Sequence, residues 1–181
     1  SSYVKKDAPV AHENVSKEDL QKVNVGVDLP IMLDQQTSVV TTTDAGAGVG
    51  YTGMRIRGSD NARINVTVNG IPINDSESQG VFWVNMPDLA SSTSNIQIQR
   101  GVGTSTNGAG AFGASINVNT LESNPDAYGM LSSSYGSFNT YKNSVQFGTG
   151  LINNKFIFDG RLSNIQSDGF IAVSYTHLRA H

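Results

Sequence analysis

Gly108-Ala109-Gly110-Ala111-Phe112-Gly113 has the spacing G-x-G-x-x-G, the arrangement that could most directly do chemistry in this chain. Such a run holds a dinucleotide when a helix follows it, so that the pyrophosphate meets the helix N-terminus. Here Ile116-Asn117-Val118 follows with the alternation of a strand, so the glycines read as a turn region in a compact sheet. His12, His177 and His181 have no partners at metal-ligand spacing, and no serine sits in a G-x-S-x-G elbow. Cysteine is absent, which removes thiol chemistry and disulfides. Asp44, Asp60, Asp75, Glu77 and Asp88 fall in loops without EF-hand spacing and read as solvated acids. No catalytic residue, metal site or cofactor is therefore assigned.

Arginine is the more informative charge. Arg55, Arg57 and Arg100 each border a strand beside glycine. A guanidinium partly buried there needs a carboxylate partner, whereas an ordinary surface arginine needs none. The net charge of −3 leaves no electrostatic footprint for nucleic acid. With 8% aromatic and 15% charged residues and abundant Gly, Ser, Thr and Asn, the 181 residues suit short strands and many turns. No apolar run reaches the roughly 18 residues of a transmembrane helix, and no leader follows Ser1, so the chain reads as a fragment.

These residues are positioned by an ordered series of elements. Ser16 caps a short helix that ends near Asn24, and Asp28 caps a second whose apolar residues are Leu29, Ile31, Met32 and Leu33. Val39–Thr42 and Met54–Arg57 read as strands, the latter with arginines on one side. Ile64, Val66 and Val68 alternate with polar residues, and Asn69-Gly70 makes a turn. Pro87-Asp88-Leu89 begins a helical turn. Gln99 to Thr120 reads as strand, glycine-rich turn (Gly101, Gly103, Gly108, Gly110, Gly113) and strand, with Ile96 and Ile98 opposing Gln97 and Gln99 as in a half-buried strand. After Pro125 come three longer extended segments, Tyr128–Tyr135, Tyr141–Thr149 and Phe156–Ile165. In the second, Tyr141, Val145 and Phe147 oppose Lys142, Ser144 and Gln146; in the third, Phe156, Phe158 and Leu162 oppose Lys155, Asp159 and Arg161. Strands of about 9–11 residues, apolar outside and polar inside, suit the wall of a membrane barrel. The stretch from Ala172 shows no strand alternation, and 172–181 reads as a non-native tail.

Three ordered segments carry a family resemblance: Gly53-Met54-Arg55-Ile56-Arg57-Gly58, then Val66-Thr67-Val68-Asn69-Gly70-Ile71-Pro72, then Gln99-Arg100-Gly101 with Asn107 to Val118. Together they resemble the plug of TonB-dependent outer-membrane receptors. The resemblance implies an α+β plug domain, a mixed sheet with short helices, over 1–124. The first about three antiparallel strands of a transmembrane β-barrel of 22 strands then occupy 125–171. It implies a gate for energised uptake of a scarce ligand such as a siderophore, cobalamin or glycan, in the outer membrane of a Gram-negative bacterium. The implied partners are TonB, through a segment upstream of Ser1, a small extracellular ligand and outer-membrane lipid. Arg57 and Arg100 would pair with acids on the inner barrel wall. Phe82 and Trp83, with Tyr51 and Gln79, would face the ligand, although beside Val81 and Val84 the aromatic pair equally suits packing. The glycines at 53, 58, 70, 101, 108, 110 and 113 are structural on this view. The alternative from composition is a surface β-rich adhesin or binding module, for which a repeating period is expected and none is found.

Overall fold

A computed structural model describes residues 11–24, 27–44, 50–86, 88–101, 112–120 and 124–168, with the backbone of Thr176–Ala180. The N-terminal part is built on a mixed sheet ordered β1-β6-β7-β4-β5, from strands His12–Ser16, Asn95–Arg100, Ala114–Asn119, Ile64–Val68 and Ile71–Pro72. β6 and β7 pair antiparallel, as the glycine-rich unit requires, while β4 and β7 run parallel. Asn69 and Gly70 both adopt positive φ, 51° and 82°, and so return the chain from β4 into β5. Helix α1 (Lys17–Val23) starts on Ser16, whose Oγ accepts the Asp19 N–H at 3.3 Å. Helix α2 (Leu29–Met32) and the hairpin of β2 (Val39–Thr43) with β3 (Thr52–Ile56) follow it in the chain.

The sheet has two chemically distinct faces. Register places Val68, Val118, Ile96 and Val15 side by side across β4, β7, β6 and β1. These rows join Leu20, Leu33, Met54, Ile56 and Trp83 in one apolar core. On the opposite face Thr67, Asn117, Gln97 and Asn14 form a polar row, where Thr67 Oγ1 donates to Asn117 Oδ1 at 2.7 Å and Gln97 Nε2 to Asn14 Oδ1 at 3.0 Å. The expected half-buried strand is thus covered on both sides: Gln97 and Gln99 are as buried as Ile96 and Ile98, with which they alternate.

Two helix-proximal expectations shift. Asp28 stands at the start of α2 but makes no capping bond there. Its carboxylate instead accepts the Gly50 N–H at 3.1 Å and the Thr52 hydroxyl at 3.2 Å. Arg57 lies past the end of β3 at φ 51°, in a turn closed with Gly58 at φ 77°, so it does not share a strand with Arg55.

A second, antiparallel sheet follows, ordered β11-β10-β9-β8 and formed by Thr176–Ala180, Asp159–Ser167, Thr140–Gly148 and Tyr128–Gly136. The first of the three extended segments is a full strand of 9 residues. The third begins later than its pattern predicts, because Phe156 bridges Ile152 across a turn before the strand starts. Thr176–Ala180 pairs with β10 despite lacking alternation, since backbone bonds in a sheet need no side-chain period. The side-chain pattern on β9 is inverted relative to a soluble core: Tyr141, Val145 and Phe147 are exposed, while Thr140, Lys142 and Ser144 are buried.

Candidate functional site

The densest electrostatic arrangement among the described residues joins the two sheets. Asp88 opens the 3-10 turn Leu89–Ser92 at φ 59°, ψ 23°, a left-handed conformation that aspartate tolerates better than most side chains. Its side chain does not cap that turn; it turns toward the second sheet. Lys142 Nζ of β9 lies 2.5 Å from Asp88 Oδ1, and Arg161 Nη1 of β10 donates to Oδ2. Arg161 also gives Nη2 to the Asp88 carbonyl at 3.2 Å and Nε to Ser92 Oγ at 3.1 Å. Ser91 Oγ donates to Asp88 Oδ1 at 2.5 Å and accepts from Lys142 and from Asn24 Nδ2. Lys142 Nζ reaches Asn24 Oδ1 at 3.1 Å as well.

The Asp88 side chain is 1% exposed, that of Lys142 5% and that of Arg161 16%. Burial by itself would raise the Asp88 carboxyl; Lys142, Ser91 and Arg161 outweigh it and hold the group below the ordinary carboxylate value. Removing one partner of such a set strands a buried charge, typically at about 3–5 kcal/mol. The arrangement is therefore a tie between sheets.

Asp88 corrects the expectation of a solvated loop acid. The signal lay in Lys142 and Arg161, which the alternation of their strands sets opposite the exposed apolar residues, on a face where a cation needs a buried anion.

The arginines expected to reach a wall make these contacts among the described residues. Arg100 Nη1 pairs with Glu13 Oε2 at 3.0 Å, a partner on β1 of its own sheet, and also donates to the Thr37 carbonyl at 3.3 Å. Arg57 is exposed and gives its backbone N–H to the Ser38 carbonyl at 3.0 Å. Both arginines thus meet the Thr37-Ser38 turn. Charge between the sheets runs the other way, from bases on the second sheet to an acid on the first.

Of the four residues expected to face a ligand, Tyr51 and Phe82 are exposed, at 68% and 50%. Gln79 sits at φ 58° in a loop fixed by its own Nε2 bond to the Ser76 carbonyl at 2.8 Å. Trp83 is 2% exposed within the apolar core, so its indole packs and does not face outward. Gly113 gives its N–H to the Arg63 carbonyl, and its carbonyl accepts the Gly101 N–H. A Cβ on Gly113 would overlap the Ser59 side chain, whereas Gly101 is required by its φ of 88°. Gly53 lies against Thr42, and Gly108 and Gly110 fall outside the described residues.

The family model of the TonB-dependent receptor plug domain matches residues 4–115, and the chain belongs to that family. Three solved structures share the fold. The ferripyoverdine receptor of the Pseudomonas aeruginosa outer membrane superposes with a TM-score of 0.65 at 13% identity, over 91% of this chain and 21% of its own. The siderophore receptor PirA from Acinetobacter baumannii gives 0.64 at 22%, over 87% of this chain and 24% of its own. The ferric yersiniabactin uptake receptor FyuA from Yersinia pestis gives 0.62 at 16%, over 87% and 24%. The chain thus spans about a quarter or less of these receptors' length. Comparison with curated sequences found no match.

Proposed function

We propose that this chain is the gate of an outer-membrane receptor that takes up a small, scarce, siderophore-like ligand at the expense of energy delivered through TonB. On this reading β8–β10 begin the barrel wall, with Leu131, Tyr135, Val145, Phe147 and Leu162 toward lipid. TonB engages a segment upstream of Ser1, and ligand approaches the side carrying Tyr51 and Phe82. The observation that carries the proposal is the inversion of the second sheet. Its exposed face carries Leu131, Tyr135, Val145, Phe147 and Leu162, interrupted by the Ser133–Asn143 bond, and its opposite face meets the plug through Lys142 and Arg161. A water-facing sheet would reverse that order. A bound gate blocks diffusion, so energy is needed to displace it, and polar ties can re-form after displacement.

Two measurements test this in the intact receptor. Its migration in an outer-membrane fraction should shift on heating, as expected of a closed barrel that resists mild detergent. Accumulation of iron from a panel of ferric siderophores should require both the receptor and an energised inner membrane. A protein that stays soluble after export, or uptake unaffected by discharging the membrane, overturns the proposal.

A further inference from the structure

Beside the Asp88 cluster runs a polar seam. A cavity of about 610 Å³ lies between α1, the Leu89–Ser92 turn and β8. A neighbouring one of about 260 Å³ continues it to Lys142 and Arg161. Lys17, Gln21, Ser91, Thr93, Met130 and Gln146 border both, so the two are adjacent. Further along, the wall side carries Ser132 and Ser144, whose hydroxyls bond each other at 2.6 Å.

We infer that the route past the plug opens along this seam, with Asp88 as the latch at its end. The inference rests on the gate reading above. Separating the plug from its apolar core would expose Ile64, Ile96, Ile98 and Ile116 to water. Parting it from β8 and β9 exposes a lining that includes Ser91, Thr93, Ser132 and Gln146, whose polar groups water satisfies. Among the described residues the costly contact on this line is the Asp88 cluster, and a buried ion set separates most readily where water can enter to solvate both halves. Here the smaller cavity is lined by Asn24, Ser91 and Lys142, so it lies next to the ion set that must be solvated when the two sheets part. The latch and the parting line are adjacent, so releasing the first opens the second.

The test uses the intact receptor in living cells, with single cysteines in place of two buried residues. Ser144→Cys reports the seam, and Thr67→Cys reports the polar face of the plug sheet; both positions are under 10% exposed, at 8% and 5%. A hydrophilic, membrane-impermeant maleimide is added outside, with the membrane energised or discharged by a protonophore. The expected result is labelling of Ser144→Cys about tenfold faster when energised, with Thr67→Cys unchanged. In discharged cells Asp88→Asn should speed labelling of Ser144→Cys by a similar factor, and Lys142→Gln serves in the same way should Asp88→Asn not assemble. Equal gains at both cysteines would mean that the plug unravels as a whole; a gain at Thr67→Cys alone would put the route elsewhere. Unchanged labelling of Ser144→Cys in the latch variants would remove the latch. Any of these overturns the inference while leaving gated uptake standing. No response to energisation at either position sinks the gate reading itself.

Discussion

Asp88 and Lys142 are 54 positions apart in the chain and 2.5 Å apart in space, each almost wholly withdrawn from water. A contact between sheets made this way is all-or-none: partial separation leaves two buried, unsolvated charges. Asp88→Ala should therefore weaken the docking of the second sheet on the first by about 3–5 kcal/mol. Hydrogen exchange should report it as faster exchange in β9 and β10, with β6 and β7 unchanged. Equal loss across both sheets would contradict a local tie.

The pH response of this contact has a defined sign. The Asp88 carboxyl is held below its ordinary value of 3.8 in the folded chain, so its contribution is present above that pH and lost as pH falls through the folded value. Acid titration followed by urea midpoint should show the Asp88→Asn variant losing less stability below about pH 4 than the parent.

Asp28 has the opposite sign. Burial raises its carboxyl from 3.8 to about 6, despite the bonds from Gly50 and Thr52. Between those values the folded chain keeps a proton that the unfolded chain has released. Its contribution is therefore full below 3.8 and disappears as pH rises through about 6, a swing of about 3 kcal/mol. Asp28→Asn keeps an acceptor for the Gly50 N–H and removes the charge. The variant should be more stable than the parent at pH 7.5 and show no loss between pH 4 and 7, as read by denaturant midpoints.

Gly113 permits a close approach. A Cβ there would overlap Ser59 and lie 3.1 Å from the Arg63 carbonyl oxygen, so Gly113→Ala should cost about 1–3 kcal/mol. Ser59→Gly in the same chain should recover part of it, because the serine contact is removed and the carbonyl contact stays. A double variant no better than the single one would exclude steric crowding as the cause.

In the polar row, Thr67→Val deletes the 2.7 Å bond to buried Asn117 without changing volume. The expected loss is about 1–2 kcal/mol, seen in thermal or urea unfolding. No change would mean that Asn117 finds another donor.

Much of the plug was legible because its local signals agree with its tertiary structure. Ser16, Asn69-Gly70 and the alternation of β4, β6 and β7 each specify what they form. The inward–outward order of β9 followed from period-2 alternation for the same reason. Partners were the part not legible. Asp88 in a loop looks like any solvated acid until a lysine and an arginine more than fifty residues later are brought against it. Trp83 likewise reads as aromatic and available, and only the packing of the 3-10 turn Trp83–Asn85 into the apolar core decides that it is interior. Arg100 called for a carboxylate, but the sequence offers many, and the register of β1 with β6 selects Glu13.

The polar row across β4, β7, β6 and β1 has a bearing on strand alignment. Sliding one strand by a single residue would set aliphatic residues against polar ones, as Ile98 against Asn117, so a one-residue slip is penalised on both faces. Purely aliphatic strands tolerate such slippage far more readily. The sheet thus carries its own alignment key, written in Thr67, Asn117, Gln97 and Asn14.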